Sequence, residues 1–422
     1  MTPSQSRRRF LGAGVGVLAL SRLKTGLGAI LTADDGQGPD RNALIGGIER
    51  SLIFSGRHGG VSWFHPRACV ILSPDGPELL MTLQKISGSD VFGPVHWTTS
   101  KDPGRTWTDP QPIPGLGRRS LGDAWEVGVC DVVPEYHAPT KTVLAVGHNV
   151  YYKNDVLARP QRQRWPVFVV RSPDGHWSEP KRLEWDDPRG SEIYTCGCSQ
   201  RVTQPNGDVV VPLSFGSKGK ADRSVTTVIC GFDGSDLRVK EAGTELTNRS
   251  GRGLLEPSLC VLDCRTYLTI RAEDGRGYVS VSDDGLAWKP PLAWAWDDGE
   301  PLSMSTTQQH WLIHSDALFL VYTRKAAENA DVMRWRAPLY LAEVDRDALR
   351  LIRSSERVVL PMLGADAGPK HVALMGNFHT TAVTPEESWV TVGEHRPHDA
   401  WRGDTLLARI RWNQPNRLAP RP

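Results

Sequence analysis

The sequence lacks an excess of charge of either sign. Its 50 lysine and arginine residues are balanced by 48 aspartate and glutamate residues, and both signs are mixed along the chain. A protein that neutralises a phosphate backbone usually carries a basic stripe or patch. We therefore expect no nucleic-acid partner.

Long amphipathic helical patterns are also scarce. The chain is instead rich in glycine (41), proline (31) and tryptophan (15). Short apolar segments separated by clusters of Gly, Asp and Pro are typical of strands and tight turns. The composition therefore indicates an all-β protein, and no linker divides its 422 residues into separate domains.

The cysteines do not follow the spacing of a zinc site. Cys196 and Cys198 lie close together but lack the second pair that a four-ligand site uses. Seven cysteines are an odd number, so at least one is unpaired within the chain. Cys260 and Cys264 flank a predicted hairpin turn and are candidates for a disulfide. We expect no metal site and no cofactor.

The apolar run at residues 12–20 is too short to span a bilayer. It follows Ser-Arg-Arg-Arg-Phe-Leu at residues 6–11, and together the two segments form a twin-arginine targeting pattern. We expect residues 1–40 to be a signal peptide and linker, residues 41–416 a single domain, and residues 417–422 a C-terminal tail. The pattern predicts a periplasmic or secreted protein with no membrane anchor once the signal is removed.

A repeat of roughly 50–60 residues organises most of the chain. Each unit has an apolar strand, a turn, a second apolar strand and often the motif Ser-x-Asp-x-Gly-x-x-Trp. The fullest copy ends at Trp107, and shortened copies end at Trp177 and Trp288. In such a motif the Asp and Ser side chains satisfy turn amides, the Gly permits the bend, and the Trp packs between sheets.

Six units can be delimited. They span residues 63–107, 125–177, 193–239, 254–288, a fifth from 303 that includes 317–323 and 337–344, and 377–412. The segment 48–55 is expected to complete the last unit and to close a ring without exposed edges. The motif copies resemble the Asp-boxes of the sialidase superfamily, and this resemblance implies a six-bladed β-propeller of four-stranded antiparallel blades.

In a propeller the first strands begin, and the second strands end, at one rim of the central channel. The predicted starts of first strands are Arg67, Glu126, Tyr194, Glu256, Gln309 and Asn377. The predicted ends of second strands are Lys85, His148, Ser214, Arg271, Arg324 and Glu394. Strand ends are often polar because they meet solvent. The two sets are therefore candidates for substrate contacts at one mouth.

The resemblance to sialidases extends to particular residues. The segment around Arg67 resembles the Arg-Ile-Pro segment of the first blade, with the order altered. Glu256, followed by Arg271 on the next strand, resembles the fourth-blade glutamate and second arginine. A third arginine is implied in blade five, where Arg324, Arg334 and Arg336 compete; we favour Arg336.

Three guanidiniums around one pocket would bind a carboxylate through planar, bidentate donors, which points to an acidic sugar. Asp90, after the second strand of blade one, stands at a plausible place for the sialidase acid/base, and an ordinary turn aspartate is the equal alternative. Phe378 stands where the family has its nucleophilic tyrosine. Phenylalanine cannot form a covalent glycosyl intermediate. Tyr151, Tyr152 and Tyr194 are alternative sources of that hydroxyl.

His148 and Tyr151 suggest a different chemistry. A neutral histidine can remove the proton alpha to a uronate carboxylate while a tyrosine protonates the leaving oxygen, which is β-elimination. His148 is equally well explained as a hydrogen-bonded rim residue. Four other histidines are further candidates for the mouth or are structural: His65, His310, His314 and His379.

The leading hypothesis is an exported carbohydrate-active enzyme, a sialidase-like exo-glycoside hydrolase that acts on a terminal acidic sugar. Its expected roles are acid/base for Asp90, supporting carboxylate for Glu256, and carboxylate clamp for Arg67, Arg271 and Arg336. The alternatives are a uronate-directed lyase that uses His148 and Tyr151, and a non-catalytic glycan-binding propeller. A propeller fold is compatible with all three.

Replacement of Arg7 and Arg8 by lysine should block export, because the twin-arginine pattern is the targeting signal that the sequence offers. Cell fractionation and immunoblotting should then find the double variant in the cytoplasm and the unaltered protein outside it. Equal export of both proteins would refute the assignment.

Overall fold

The computed structural model describes residues 44–73 and 76–421. Its short apolar segments form strands that assemble into six antiparallel sheets arranged as the blades of a ring, so the predicted six-bladed β-propeller is confirmed. The predicted signal peptide lies outside the described residues. No helix in the described part is long and apolar enough to cross a membrane.

The first three blades follow one another in chain order. β1 (Ile45–Phe54) precedes the first blade. Blade 1 contains β2 (Trp63–Ile71), β3 (Glu78–Gly88), β4 (Val91–Ser100) and β5 (Gln111–Pro112). Blade 2 contains β6 (Arg119–Gly122), β7 (Trp125–His137), β8 (Thr142–Lys153), β9 (Val156–Leu157), β10 (Pro166–Arg171) and β11 (Lys181–Arg182). Blade 3 contains β12 (Ile193–Thr195), β13 (Val202–Thr203), β14 (Val209–Gly216), β15 (Ser224–Phe232) and β16 (Leu237–Ala242).

The other three blades complete the ring. Blade 4 contains β17 (Leu255–Leu262), β18 (Arg265–Arg271), β19 (Gly277–Ser282) and β20 (Leu292–Ala293). Blade 5 contains β21 (His310–His314), β22 (Ala317–Tyr322), β23 (Leu339–Asp345), β24 (Arg350–Leu351) and β25 (Arg357–Leu360). Blade 6 contains β26 (Phe378–Thr384), β27 (Glu387–Gly393) and β28 (Thr405–Trp412). Short 3-10 helices lie between strands at Pro188–Gly190, Ala327–Asn329, Met333–Trp335, Arg353–Ser355, Ala365–Ala367 and Pro369–His371.

The N-terminal strand closes the ring. β1 pairs antiparallel with β28, with Ile48 opposite Ile410 and Leu52 opposite Leu406, so the prediction that this segment completes the last blade is confirmed. The side chain of Arg50 on β1 donates from Nε to the carbonyl of Val359 in blade 5 at 2.8 Å. Closure therefore removes an open sheet edge and also ties blade 6 to its neighbour.

The hydrophobic core is divided among the interfaces between neighbouring blades. One cluster joins Tyr267 of blade 4 to Leu320 of blade 5, and another joins Val321 of blade 5 to Val390 of blade 6. Each blade is therefore buried on both faces by the blades beside it. The apolar surface of a blade is fully covered only when both of its neighbours are in place.

The repeated motif forms turns at the end of the third strand of a blade. In the copy after β19, the Asp284 carboxylate accepts bonds of 2.8 Å from the amides of Leu286 and Ala287 and from the Ser282 hydroxyl. Trp288 is buried, and its Nε1 donates to Thr227 of blade 3 at 2.8 Å. The motif thus fixes the turn and attaches it to the neighbouring blade.

All seven cysteines lie within the described residues, and all are free thiols. The candidate disulfide between Cys260 and Cys264 is therefore not formed. Cys260 is buried between blades 4 and 5, whereas Cys264 is exposed in the turn between β17 and β18. β17 places Cys260 in the interface between the blades, whereas the turn after β17 leaves Cys264 at the surface.

Asp284→Ala should lower the free energy of unfolding by about 1–2 kcal/mol, because two amides and a hydroxyl lose a charged acceptor. Asp283→Ala is the matched control, since the exposed Asp283 side chain makes no hydrogen bond within the described residues. Hydrogen bonds from Ala287, Leu286 and Ser282 lower the pKa of Asp284. Its contribution is therefore present above about pH 4 and is lost as the pH falls further. Urea unfolding at pH 7 and pH 3 tests this, and equal losses for both variants at pH 7 would contradict it.

Candidate functional site

A cavity of about 650 Å³ opens at the rim of the channel where the first strands begin, and all six blades contribute to its lining. The Ser-x-Asp turns lie at the other end of the blades and do not line it. A cavity of this volume matches the space that a small-molecule ligand occupies. It is therefore the candidate binding site.

Three first strands present one side chain each to the cavity through a β-bulge. In blades 1, 2 and 4, two residues of the first strand oppose a single residue of the second strand. The first residue of each bulge is His65, Asp131 or Glu256, with φ of 54°, 58° and 43° respectively. A bulge re-aims its side chain out of the strand alternation. All three residues accordingly line the cavity.

Two glycines leave the space that this arrangement needs. A Cβ on Gly147 would lie 2.5 Å from the carbonyl oxygen of Cys130 and 2.7 Å from Cγ2 of Val132, so a larger residue would collide with the bulge at Asp131. A Cβ on Gly197 would overlap the ring of His148. The backbone around the cavity is therefore shaped for these side chains.

Arginine dominates the charge of the cavity. Seven arginines line it: Arg159, Arg164, Arg223, Arg252, Arg271, Arg334 and Arg336. Arg252 is paired with Glu273, and Arg271 with Glu256. Within residues 44–73 and 76–421 the other five have no carboxylate partner. Four lining carboxylates face these seven guanidiniums, so the cavity carries a net positive charge: Asp90, Asp131, Glu256 and Glu273.

Burial and, to a smaller extent, mutual repulsion disfavour the charged form of two of these arginines. Burial, with repulsion from Arg164 and Arg252, lowers the pKa of Arg223 to about 9. Burial, with repulsion from Arg271 and Arg334, lowers the pKa of Arg336 to about 9. A bound anion would relieve this repulsion through charge-assisted hydrogen bonds. The cavity is therefore electrostatically suited to a negatively charged ligand.

Asp131 connects buried charged groups in the cavity wall. Its Oδ1 accepts a bond from Arg67 Nη2 at 2.7 Å and lies 3.3 Å from His65 Nε2. Burial raises the pKa of the Asp131 carboxyl, but His65 and Arg67 outweigh this effect and hold the pKa well below its usual range. Burial lowers the pKa of His65 to about 4. At neutral pH the carboxylate is charged and the imidazole is neutral.

Cys130 and His148 lie opposite each other on β7 and β8. The Cys130 sulfur is 3.5 Å from His148 Nε2 and 3.7 Å from Asp131 Oδ2. Burial raises the pKa of the Cys130 thiol and lowers that of His148 to about 4. The buried Nδ1 of His148 has no hydrogen-bond partner within the described residues.

Seven of the rim and site residues predicted from the sequence line the cavity: Asp90, His148, Ser214, Glu256, Arg271, Arg336 and Asn377. His65 and Arg334, which the sequence left as open candidates, line it as well. Glu256 and Arg271 come together as an ion pair. Asp90 is exposed in the turn between β3 and β4, and its side chain has no hydrogen-bond partner within the described residues. His148 adjoins Cys130 and Asp131, as described above.

Three further predicted residues do not line the cavity. Arg67 is 1% exposed, because the bulge turns His65 inward and Arg67 resumes strand pairing opposite Thr82. Tyr151 is buried along β8, and its amide donates to Gln161. Glu126 lies farther out on the β7–β8 hairpin, where it is 3.4 Å from Arg118. The expectation that these three meet at the mouth is wrong.

Three predicted residues of blades 5 and 6 also lie outside the cavity, so the expectation that they meet at the mouth is wrong. Gln309 is buried and bonds to Trp294 Nε1 at 3.2 Å inside the blade interface. Arg324 is bound to Glu356, with 2.6 Å between Nη2 and Oε2, beside a separate cavity of about 360 Å³. Glu394 is buried against Arg57. Each of these three polar side chains bonds to a partner within the fold, which accounts for its polarity without a ligand.

No tyrosine lines the cavity, and all eight tyrosines belong to the described residues. Tyr152 and Tyr194 are buried within blades 2 and 3. Phe378 is 0% exposed and packs against His310. The hydroxyl that a covalent sialidase mechanism uses therefore has no equivalent in this cavity.

Sequence reasoning left His65 as one of four undecided histidines and missed several other lining residues. His65 had a usable signal, because Phe64-His65-Pro66 repeats the pattern of Leu255-Glu256-Pro257 and both form the same bulge. The other missed charged or histidine residues carried no such mark, since they lie in loops or in a bulge without proline: Asp131, Arg159, Arg164, Arg223, Arg252, Glu273 and His395.

Comparisons with known proteins agree with the fold. No protein-family model and no curated protein matches the chain. A solved structure of Trypanosoma rangeli sialidase in complex with sialic acid superimposes with a TM-score of 0.58 at 13% identity, over 86% of this chain and 59% of that one.

Two other sialidases give similar values. Hadza microbial sialidase Hz136 matches with a TM-score of 0.58 at 13% identity, over 83% of this chain and 66% of that one. NanB sialidase from Streptococcus pneumoniae matches with a TM-score of 0.58 at 10% identity, over 85% of this chain and 70% of that one. This chain spans about three fifths of the length of the Trypanosoma chain. At these identities the likeness extends to the propeller fold alone.

Proposed function

We propose that this protein is an exported glycoside hydrolase that removes a terminal acidic sugar, with the arginine-lined cavity as its active site. The observation that carries the proposal is the set of five cavity arginines that have no carboxylate partner within the described residues. Three of the five, Arg164, Arg223 and Arg336, are partly buried, and partly desolvated cations that repel one another are costly unless a ligand compensates them. A sugar carboxylate supplies that compensation and matches the planar donors of arginine.

The propeller supports the same class of substrate. The neighbouring structures include Trypanosoma rangeli sialidase with bound sialic acid, a sugar that carries a carboxylate. Here blade 1 presents His65 to the cavity while Arg67 is buried, and the guanidiniums of Arg164 and Arg223 belong to blades 2 and 3. The proposed carboxylate clamp therefore combines Arg271 and Arg336 with these two arginines. It is distributed differently from the clamp that the resemblance implied.

The proposed chemistry is a single displacement by water. Asp90 belongs to blade 1 and Glu256 to blade 4, which stand opposite each other in a ring of six. Two carboxyl groups on opposite sides of a glycosidic bond can act as acid and base. Asp90 protonates the leaving oxygen as the glycosidic bond breaks, and Glu256 accepts a proton from the water that bonds to the anomeric carbon. No covalent intermediate is needed, which agrees with the lack of a lining tyrosine.

Product analysis tests the reaction. Mass spectrometry on a panel of sialylated and uronate-containing glycans should find products that have gained one water, and NMR of the first product should show inversion at the anomeric carbon. Asp90→Asn should lose most turnover, by about 10²–10⁴-fold, whereas Asp283→Asn at the opposite end of the blades should retain it.

Other outcomes favour other functions. An unsaturated product that disappears in His148→Ala would replace hydrolysis with elimination. Binding without turnover on the whole panel would indicate a glycan-binding propeller. Retention of the anomeric configuration would contradict the single displacement.

Arg223→Gln tests the binding half of the proposal. The affinity for N-acetylneuraminic acid, measured by calorimetry, should fall about tenfold or more because one charge-assisted bond is lost. The affinity for its methyl ester should change little. The melting temperature should not fall, since the substitution removes a cation that Arg164 and Arg252 repel.

Arg238→Gln is the matched control, because Arg238 lies on the outer strand of the same blade and pairs with Asp236 at the surface. It should leave both affinities unchanged. Unaltered binding of the free acid by Arg223→Gln would remove this arginine from the site.

A further inference from the structure

Three potential metal ligands meet in the cavity wall outside the arginine cluster. They are Cys130, Asp131 and His148, and one ligand atom from each lies within 4.8 Å of the other two. Their spacing in the sequence differs from that of a zinc motif, because the cluster is assembled across the β7–β8 pair and not along one strand. The strand pairing sets Cys130 opposite His148, and the bulge adds Asp131.

The separations agree with a tetrahedral metal site. With bonds of about 2.3 Å to sulfur and about 2.0–2.1 Å to nitrogen or oxygen, two ligands on zinc are about 3.5–3.6 Å apart. The Cys130 sulfur is 3.5 Å from His148 Nε2 and 3.7 Å from Asp131 Oδ2. Two of the three distances between ligand atoms are thus close to those expected for ligands on one zinc ion.

The surroundings hold the ligands in place. Asp131 Oδ1 is engaged by Arg67 at 2.7 Å and lies 3.3 Å from His65, which leaves Oδ2 directed toward the cysteine. Such outer contacts orient the ligands of metal sites. Gly147 and Gly197 leave room for the bulge and for the imidazole ring. The backbone conformation of Asp131, with φ of 58°, is therefore fixed by several independent contacts.

We propose that Cys130, Asp131 and His148 form a binding site for one divalent transition metal, with zinc as the best match. Sulfur and imidazole ligands favour zinc over magnesium or calcium, which prefer oxygen. All three residues line the cavity, so a fourth coordination position faces its interior. Three protein ligands with one open position is the arrangement of catalytic zinc sites. The proposal goes beyond the sugar-hydrolase function and does not depend on it.

The test uses the full-length chain with Cys264→Ser, which removes the exposed thiol. After equilibration with buffered zinc and gel filtration, elemental analysis should find about one zinc ion per chain. Cobalt should replace it and give a thiolate charge-transfer band in the near ultraviolet. Cys130→Ala and His148→Gln should each lower zinc affinity about tenfold or more and abolish or shift that band.

Cys260→Ala is the matched control, because it also removes a buried thiol but lies between blades 4 and 5. It should bind zinc as the parent does. Thermal melting of every variant separates lost binding from lost folding, and His148→Gln serves if Cys130→Ala does not fold. No zinc in the parent, or equal zinc in all variants, would overturn the site. In that case the contact of Cys130 with His148 is only a thiol hydrogen bond.

The two proposals fail separately. Zinc binding is measured without any sugar, so bound zinc with no turnover on the glycan panel would support this site and contradict the hydrolase. Turnover by a chain that binds no zinc would support the hydrolase and overturn this site.

Discussion

The pairing of β1 with β28 is the constraint on which the rest of the structure depends. Each blade is buried by its two neighbours, so a blade with one neighbour missing would expose the apolar face that this neighbour covers. Only closure of the ring gives every blade two neighbours. Closure also brings together the six strand ends that line the cavity, and no single blade could assemble that set of charges.

The cavity concentrates charge that the fold does not neutralise. Arginines from four blades face each other there, and burial together with repulsion lowers the pKa values of Arg223 and Arg336. Structural arginines in the same protein behave differently, since Arg324 is held by Glu356 and its pKa is raised. The contrast separates arginines that stabilise the ring from the arginines that we propose bind a ligand.

The sequence was sufficient to predict the blades but only part of the site. Strands, turns and the closing segment follow from apolar runs and from the Ser-x-Asp turns, which are local patterns. Glu256 and Arg271 were found because one begins and the other ends an apolar strand at the same rim, and because the pair resembles the fourth blade of sialidases. Arg67 was chosen over His65 because a β-bulge shifts the alternation by one residue, and strand periodicity alone does not reveal such a shift. Asp131 was missed for the same reason, as its bulge has no proline to mark it. Arg164 and Arg223 reach the cavity only through the packing of distant blades.

The closing strand has a consequence for biosynthesis. β1 is among the first parts of the folded domain to leave the ribosome, whereas its partner β28 is among the last. Between these two moments the nascent chain carries an apolar strand with open backbone groups and no partner. Contacts that span so much of a chain form slowly, and unpaired edges invite association between copies. The pairing that closes the finished ring therefore leaves the incomplete nascent chain prone to aggregation until β28 has been synthesised.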